Sequence, residues 1–565
     1  MTSPLILAAA EATSSYLPHI LLGAYMLLLI GLCVVGYRKG KATEEDYYLA
    51  GRGQGVLVTS LTIMATMFSS AALLGIPGTV YRDGLAFVPF ALNLTIGGVG
   101  IYFLGSRMHR LGKANGYVTP ADLVGDYYGG NAVRLLAALT GALYVLPYVI
   151  MQIKAGGYLA ERLFPDVPPI VFLDSEYDMF RAGVWALSFL TMAYVLIGGM
   201  RSVAWTDVIQ GMLLLSGMLV AGLATVIYFQ DKGGYFNAIA ELPHEALSVP
   251  GATGKWNAWM MLSICTCASL GAIIQPGQWM RFYAARSVKT LRQSALVFAI
   301  ILPFCFIFGI MLVALGARSE FPPEWREDPA KPEVAAVLYP HEELGPSPTD
   351  TDKAVIVMAQ HTVPKVFGQT TGTLIVTLIL IAVLAASMST ADSNLHALSA
   401  VLTRDVYDKY LRPEASEREK TWFGRVVIIV ATIAAVIFVE IGNKAQGFNP
   451  LTLITQLMFL AIAFSSQLLP LAVDCLYLHR GTRNGAVAGL SVGILVVFLI
   501  GPFPELLFGK EATAGLTSFT GTLKKYIHTS AIGLFANAII FAIVSCYTPK
   551  LPAEHIQKFR KLLKN

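Results

Sequence analysis

The chain has 565 residues, of which 55% are hydrophobic and only 14% are charged, with a formal net charge of +5. A water-soluble protein carries about 25% charged residues, so the composition excludes a soluble enzyme of two or three domains. It indicates a polytopic membrane protein embedded in a lipid bilayer.

About thirteen apolar stretches are long enough to cross a hydrocarbon core of about 30 Å, which needs about 20 helical residues. The predicted spans are 16–36, 54–79, 85–105, 134–160, 182–200, 206–229, 257–280, 292–316, 371–403, 424–443, 451–478, 484–502 and 529–547. Lysine and arginine are more frequent in one set of connections, which includes Arg281 to Arg292. Because cytoplasmic loops carry this excess, we expect an N-terminus outside and a C-terminus inside the plasma (inner) membrane.

The connections between spans divide the chain into five parts. The connection 319–370 is acidic and proline-rich, which is typical of an external loop rather than a folded domain. The predicted parts are an N-terminal tail with the first helix and a linker, a five-helix repeat, an external loop, a second five-helix repeat, and two C-terminal helices with a basic tail. Their boundaries are 1–53, 54–229, 230–256, 257–480 and 481–565.

Other classes of partner and activity find no support in the sequence. The basic residues form no stripe interleaved with aromatic residues, so no nucleic-acid partner is expected. The six cysteines lie in apolar stretches and are expected to pack as small hydrophobic residues. No catalytic motif such as Gly-x-Ser-x-Gly or His-Glu-x-x-His is present, so no enzyme is predicted. No obligate protein partner is evident.

The second predicted span is interrupted by polar and helix-breaking residues. Small and hydroxylated residues run from Thr66 to Ser70, and Gly75-Ile76-Pro77-Gly78 follows them. An unwound turn near Phe68 would free backbone carbonyl groups to face a cavity. Close packing of helices through small residues is the alternative.

The seventh predicted span is interrupted by Gln275-Pro276-Gly277-Gln278, five spans after the first interruption. Two broken helices in corresponding positions of two five-helix halves indicate a secondary transporter with an inverted repeat, which binds ion and solute near mid-membrane. A simple proline kink is the alternative for either span.

The ninth predicted span carries a stripe of hydroxyl groups. At 100° per residue, Ala386, Ser389, Thr390 and Ser393 share one helix face. Hard cations prefer oxygen ligands, and a neutral set of them suits Na⁺. Alternatively, each hydroxyl bonds only to the carbonyl four residues back.

Three ionisable residues lie at membrane depth, where each is a candidate functional residue. Asp207 begins the sixth span, so it either caps that helix or couples an ion. Lys154 binds either a partner carboxylate or an anionic solute. Coupling to H⁺ through Asp207 or Asp392 is an alternative to coupling to Na⁺.

These stretches resemble those of the sodium/solute symporter family, whose members have the LeuT-type fold. The resemblance covers roughly residues 16–550 and is carried by Ile197–Gln210, Gln275–Ala285 and Ala386–Tyr407. It implies an all-α polytopic membrane protein of about 13 transmembrane helices, with a 5+5 inverted-repeat core, one extra N-terminal helix and two extra C-terminal helices.

The resemblance also implies ion sites. In that family a sodium site lies between the first and eighth core helices. The matching ligands here are the carbonyls of Ala65, Phe68 and Ala386 and the hydroxyls of Ser389 and Thr390. A second sodium site, like that of sialic-acid carriers, would use Asp207, Ser389 and Ser393. Asp392 would also belong to it, although a serine is usual at that position.

The solute branch is less clear than the family. The Gln-Pro stretch is similar to the sodium/proline branch, but Met67 stands where that branch carries an aspartate. Sugar carriers have a glutamine at the position of Ala72 and an aromatic gate at that of Gly277. With Lys154, the sequence leans towards organic acids or carboxylates, and sugars or amino acids are the alternative. The candidate solute-binding residues are Thr66, Ser69, Ala72, Lys154, Gln275 and Gly277.

The sequence therefore predicts Na⁺-coupled symport of a small organic solute into the cell by alternating access. Its partners would be Na⁺, the solute and the lipid bilayer. A transporter-like membrane sensor is the alternative of another class.

Overall fold

The computed structural model describes the whole chain except residues 1–3, 41–42, 166, 173–174, 328–335, 445–452 and 565. The helices of the first half are α1 (Pro4–Lys39), α2 (Glu44–Leu49), α3 (Val56–Met67), α4 (Ile76–Asp83), α5 (Leu92–Gly100), α6 (Ser106–Asn115), α7 (Pro120–Tyr128), α8 (Asn131–Leu163), α9 (Met179–Tyr228), α10 (Tyr235–Ala240), α11 (His244–Leu247), α12 (Ala258–Ile274) and α13 (Pro276–Ala284). The helices of the second half are α14 (Val288–Cys305), α15 (Leu312–Glu320), α16 (Ala354–Phe367), α17 (Gln369–Leu402), α18 (Glu417–Lys444), α19 (Ile454–Ser465), α20 (Leu469–Val473), α21 (Arg483–Ile500), α22 (Phe503–Phe508), α23 (Lys510–Lys524), α24 (Thr529–Tyr547) and α25 (Ala553–Lys564).

The predicted all-α class is confirmed, whereas the count of thirteen spans is not. Ten helical runs in the described part of the chain are long and apolar enough to cross a membrane, or eleven if the bent pair α12 and α13 is one span. The difference arises because the runs Ala71–Asn115 and Met179–Lys232 each contain parts of two predicted spans.

A backbone kink divides the long helix α9. A straight helix of its 50 residues would be about 75 Å long, more than twice the thickness of a hydrocarbon core. Gly199 breaks it with φ 56° and ψ −167°, a conformation that is essentially restricted to glycine. The two halves correspond to the predicted spans 182–200 and 206–229.

Helix α17 is the centre of the bundle. It packs against α8 and α9 on two sides and also contacts α1, α3, α13, α16 and α18. Its most apolar stretch is 83% buried, against 22% for α1. Its hydroxyl groups therefore face other helices rather than lipid.

The connections contain more structure than expected. Strand β1 (Ile170–Phe172) pairs antiparallel with β2 (Ser175–Tyr177), and β3 (Glu324–Arg326) pairs with β4 (Val337–Tyr339). The segment 319–370, expected to be a loop, also contains α16, which packs on α9, α15 and α17. Residues Ala354 to Ala359 of α16 are buried, so hydrophobic burial holds this part of the connection against the bundle.

Replacement of Gly199 by alanine is expected to destabilise the fold. A Cβ atom there would lie 2.8 Å from Cδ2 of Tyr47 in a backbone conformation that costs about 1–3 kcal/mol for other residues. The apparent melting temperature of purified Gly199→Ala in detergent should fall below that of the wild type. Gly23→Ala is the control, because no atom lies within 4 Å of its Cβ position. Equal melting temperatures for the two variants would contradict the prediction.

Candidate ion and solute sites

The break in the second predicted span is confirmed. Helix α3 ends at Met67, Phe68 leaves the helical region with φ −90° and ψ 87°, and a π-helical turn, Ala71–Gly75, precedes α4. Breaking the helix leaves carbonyl groups near its end without their usual partners four residues on. This happens inside the bundle, where Ala65 and Phe68 are 1% exposed.

The hydroxyl stripe of α17 lies directly against this helix end. The Ser389 hydroxyl donates to the Ala65 carbonyl at 3.2 Å, and the Thr390 hydroxyl donates to the same oxygen at 3.0 Å. Ser389 also lies 3.2 Å from the Ala386 carbonyl. Three hydrogen bonds thus connect four of the five predicted sodium ligands, and Phe68 lies at the break three residues after Ala65.

These oxygens fit a sodium ion by their chemistry. All of them are neutral, buried and supplied by hydroxyl or carbonyl groups, which are the ligands that hard cations prefer. A hydroxyl that now donates to a carbonyl can rotate and turn its lone pairs towards a cation. Ser389 and Thr390 would hold the ion by their hydroxyl oxygens, together with the carbonyl groups at the end of α3.

The break in the seventh predicted span is also confirmed. Helices α12 and α13 meet at a bend of 52°, where the side chain of Gln275 accepts a hydrogen bond from Gly277 N at 2.8 Å. One turn later, Gln278 Nε2 donates to the Ile63 carbonyl of α3 at 2.9 Å. The two broken helices therefore touch each other through a side chain of one and the backbone of the other.

A buried arginine lies between these helices. Arg281 is 1% exposed, its Nη2 lies 3.1 Å from Asp207 Oδ2, and its Nε donates to the hydroxyl of Thr62 at 2.9 Å. Its Nη2 also donates to the Ser393 hydroxyl, and its Nη1 donates to the Gly277 carbonyl at 3.0 Å. The expectation that Arg281 lies in a cytoplasmic connection is therefore wrong, because the described α13 carries it into the bundle.

The structure decides the role of Asp207 at the helix level. Asp207 lies within α9, eight residues after the kink at Gly199, and the N-cap of α9 is Asp178. Asp207 therefore does not cap a helix. The Thr62 hydroxyl and Arg281 both donate to its Oδ2. Asp207 is thus half of a buried ion pair.

Asp392 has different partners from Asp207. The Tyr194 hydroxyl donates to Asp392 Oδ2 at 2.6 Å, and the Ser393 hydroxyl donates to Oδ1 at 2.9 Å. The Ser393 hydroxyl also accepts a hydrogen bond from Arg281, which pairs with Asp207. Ser393 and Arg281 therefore connect the carboxylates of Asp392 and Asp207. The residues of the predicted second sodium site are therefore neighbours, but a guanidinium group lies among them, and that site stays a prediction.

A small cavity of about 40 Å³ lies beside the first break. Its wall is mostly apolar, with polar groups from Ser69, Asn93 and Tyr148. The remaining lining residues are Met67, Phe68, Ala72, Ile76, Phe90, Leu94, Ala268, Ala272, Phe306, Met458 and Ile462. A space of this size holds two or three water molecules at about 15 Å³ each, so an organic solute needs it to widen.

Only two of the six predicted solute-binding residues, Ser69 and Ala72, line this cavity. Thr66 instead bonds to the Thr62 carbonyl and Ser393, and Gln275 and Gly277 form the bend described above. Tyr148 and Asn93, which line the cavity, were missed, because single polar residues in apolar spans give no periodic signal.

Lys154 lies outside the lining of the cavity. The acidic groups that act on its ammonium are Asp350 and Asp352, which belong to the connection before α16. It lies within 5.3 Å of the Tyr158 ring centroid. Its prediction as a solute-binding residue therefore rests on the sequence alone, and the partner-carboxylate alternative agrees better with these neighbours.

Known proteins resemble the chain over most of its length. The sodium/proline symporter of Haemophilus influenzae is 27% identical over 84% of this chain and 85% of its own length. The osmoregulated proline transporter OpuE of Bacillus subtilis is 26% identical over 94% and 95%, respectively. A solved Na⁺-coupled sialic acid symporter in a substrate-bound outward-open state matches 94% of this chain and 98% of its own with a TM-score of 0.69 at 19% identity.

The chain shares its LeuT-type fold with that symporter, and two broken helices around buried oxygen atoms are typical of secondary transporters. The model of the sodium:solute symporter family matches residues 47–493, and the chain belongs to that family. The family of transporters agrees with the prediction that the chain is no enzyme.

The Asp207–Arg281 pair should be strongly coupled in stability. Asp207→Asn or Arg281→Gln alone leaves one buried group unpaired, which typically costs about 3–5 kcal/mol, whereas the double variant should lose less than the sum. Melting temperatures of the four proteins in detergent give the coupling. The exposed pair Glu324–Arg326, with side chains 65% and 51% exposed, is the control and should show about 0–1 kcal/mol. Additive losses at Asp207 and Arg281 would contradict the prediction.

Proposed function

We propose that the chain carries a small organic solute together with Na⁺ across the plasma membrane by alternating access, with the N-terminus outside. The observation that carries the proposal is the pair of hydroxyl groups, Ser389 and Thr390, on the Ala65 carbonyl at the end of a broken helix. Five of the residues that line the cavity follow Ala65 by two to eleven positions along the chain. An ion bound at the break can therefore influence the shape of the solute cavity directly.

Alternating access needs contacts that close one side of the bundle. Arg404, just after α17, donates to Asp122 of α7 at 2.7 Å and lies 3.2 Å from Glu44 of α2. Arg134 of α8 donates to Asp405 at 2.8 Å. These ion pairs join the segment after α17 to α2, α7 and α8 and are suited to close the face that the basic residues predict as cytoplasmic.

For the solute, we propose a small amino acid of the proline type. Two relatives named above transport proline, and no charged side chain is among the residues that line the cavity. A zwitterion balances its own charge and can place its carboxylate towards the bound Na⁺. The sequence favoured organic acids because of an apolar first helix and Lys154, and the cavity lining does not include Lys154. Met67 in place of the aspartate of the proline branch predicts weaker discrimination among amino acids.

Coupling to sodium should depend on Ser389 and Thr390. In proteoliposomes, Ser389→Ala or Thr390→Ala should raise the Na⁺ concentration for half-maximal uptake by about tenfold or more, because each removes one ligand to a charge. Ser387→Ala is the matched control, since Ser387 lies on the same helix and its hydroxyl donates to the Val383 carbonyl of that helix. Uptake that continues when choline replaces Na⁺ would refute the proposal. Uptake driven by a pH gradient alone would indicate coupling to H⁺.

The solute class is tested by competition. Labelled L-proline should enter proteoliposomes when Na⁺ is supplied outside. Unlabelled proline or other small neutral amino acids should compete with it, whereas lactate, acetate and glucose should not. Ser69→Ala should raise the KM for the solute, because Ser69 contributes a polar group to the cavity. Ser216→Ala, on an exposed part of α9, is the control. Competition by monocarboxylates alone would instead support an organic acid and reject the amino-acid proposal.

A further inference from the structure

A second, larger cavity lies where α1 ends and α18 begins, apart from the ion and solute sites. It has a volume of about 810 Å³, and its wall combines residues from the end of α1, from α2, from the kink of α9 and from the first turns of α18. The charged residues that line it are Arg38, Arg201, Arg418, Arg425, Asp46 and Glu417. Four cations therefore face two anions, which leaves an excess of positive charge.

Both carboxylates already have partners within the protein. Asp46 accepts a hydrogen bond from Arg201, and Glu417 accepts one from the backbone N–H of Glu44 at 3.1 Å. Neither carboxylate is thus left over to neutralise the remaining arginines. The excess charge of the cavity is not balanced within the lining.

The arginines also have donors to spare. In the described part of the chain no carboxylate forms an ion pair with Arg38, Arg418 or Arg425. Within the same described residues, the Nε atoms of Arg201 and Arg425 are buried and make no hydrogen bond. A buried donor without an acceptor is unfavourable, and an anion bound by the accessible atoms of the same guanidinium groups would offset part of this cost.

The rim of the cavity lies on the outer surface of the helix bundle, near the ends of α1 and α18. Tyr37 and Trp422 are 60% and 65% exposed, and Ile197 beside them is 51% exposed. Tyrosine and tryptophan are enriched at membrane–water interfaces. The cavity thus has an aromatic and apolar surface next to its basic interior, a combination expected where lipid headgroups meet acyl chains.

We propose that this cavity binds the phosphate headgroup of an anionic phospholipid, with its acyl chains along the exposed surface of α1 and α18. Guanidinium groups match phosphate oxygens in a bidentate geometry, and basic pockets between transmembrane helices bind such headgroups. Arg38, Arg418 and Arg425 supply the donors. The bound lipid touches α2, which directly precedes α3, so its occupancy affects the element that leads into the sodium site.

Lipid titration of the purified, delipidated full-length chain tests the proposal by native mass spectrometry. Phosphatidylglycerol should bind, and the triple variant Arg38→Gln/Arg418→Gln/Arg425→Gln should bind it on the order of a hundredfold more weakly. The control replaces Lys558, Lys561 and Lys564 of α25 by glutamine, which removes the same charge from exposed positions, and should bind as the wild type does.

Three results would overturn the proposal. Equal binding of phosphatidylcholine would show that the negative charge is not recognised, and unchanged binding by the triple variant would place the lipid elsewhere. Displacement of the lipid by millimolar inorganic phosphate, with equal thermal stabilisation by phosphate alone, would identify a soluble phosphate as the ligand. If the triple variant does not fold, Arg38→Gln alone, at an exposed helix end, should weaken binding about fivefold, and an unchanged affinity would reject the site.

Discussion

A carbonyl group freed at a helix break within a membrane has no water to bind, and the rest of this structure depends on how that need is met. Leaving such a group unpaired in an apolar environment costs several kcal/mol. Here two hydroxyl groups of α17 donate hydrogen bonds to a free carbonyl group at the end of α3. The stability of the break therefore depends on the packing of α17 against it. The hydroxyl groups that meet the break are therefore carried by one of the two most buried candidate spans of the described chain.

The sequence could predict this part of the molecule because its signals are local. Proline and glycine inside an apolar run mark a break, and the hydroxyl groups of Ser389, Thr390 and Ser393 share a face by helical geometry alone. The burial of Arg281 could not be predicted in this way, because an arginine near the end of an apolar stretch reads as a loop residue. Its partners, Asp207 and Thr62, lie 74 and 219 residues away along the chain, and only the packing of helices brings them together.

The number of spans and the content of the loops were harder for a related reason. Hydropathy measures length and composition, but whether neighbouring spans form one helical run depends on the backbone at single residues such as Gly199. Helix α16 was not predicted because its apolar stretch is short and the rest of the segment 319–370 is acidic and proline-rich. For the solute, the sequence signal relies on Lys154, whose acidic neighbours come from another connection and which does not line the cavity.

The contacts of Arg281 have a mechanical consequence. The guanidinium group of Arg281, which belongs to α13, forms hydrogen bonds to α3, α9 and α17 and to the backbone of α13 itself. It therefore connects four helices. A tilt of one of these helices breaks several charge-assisted bonds unless the others tilt with it. The four helices should consequently rotate as one rigid block, and the surfaces that slide when access changes should lie at the edge of this block rather than within it.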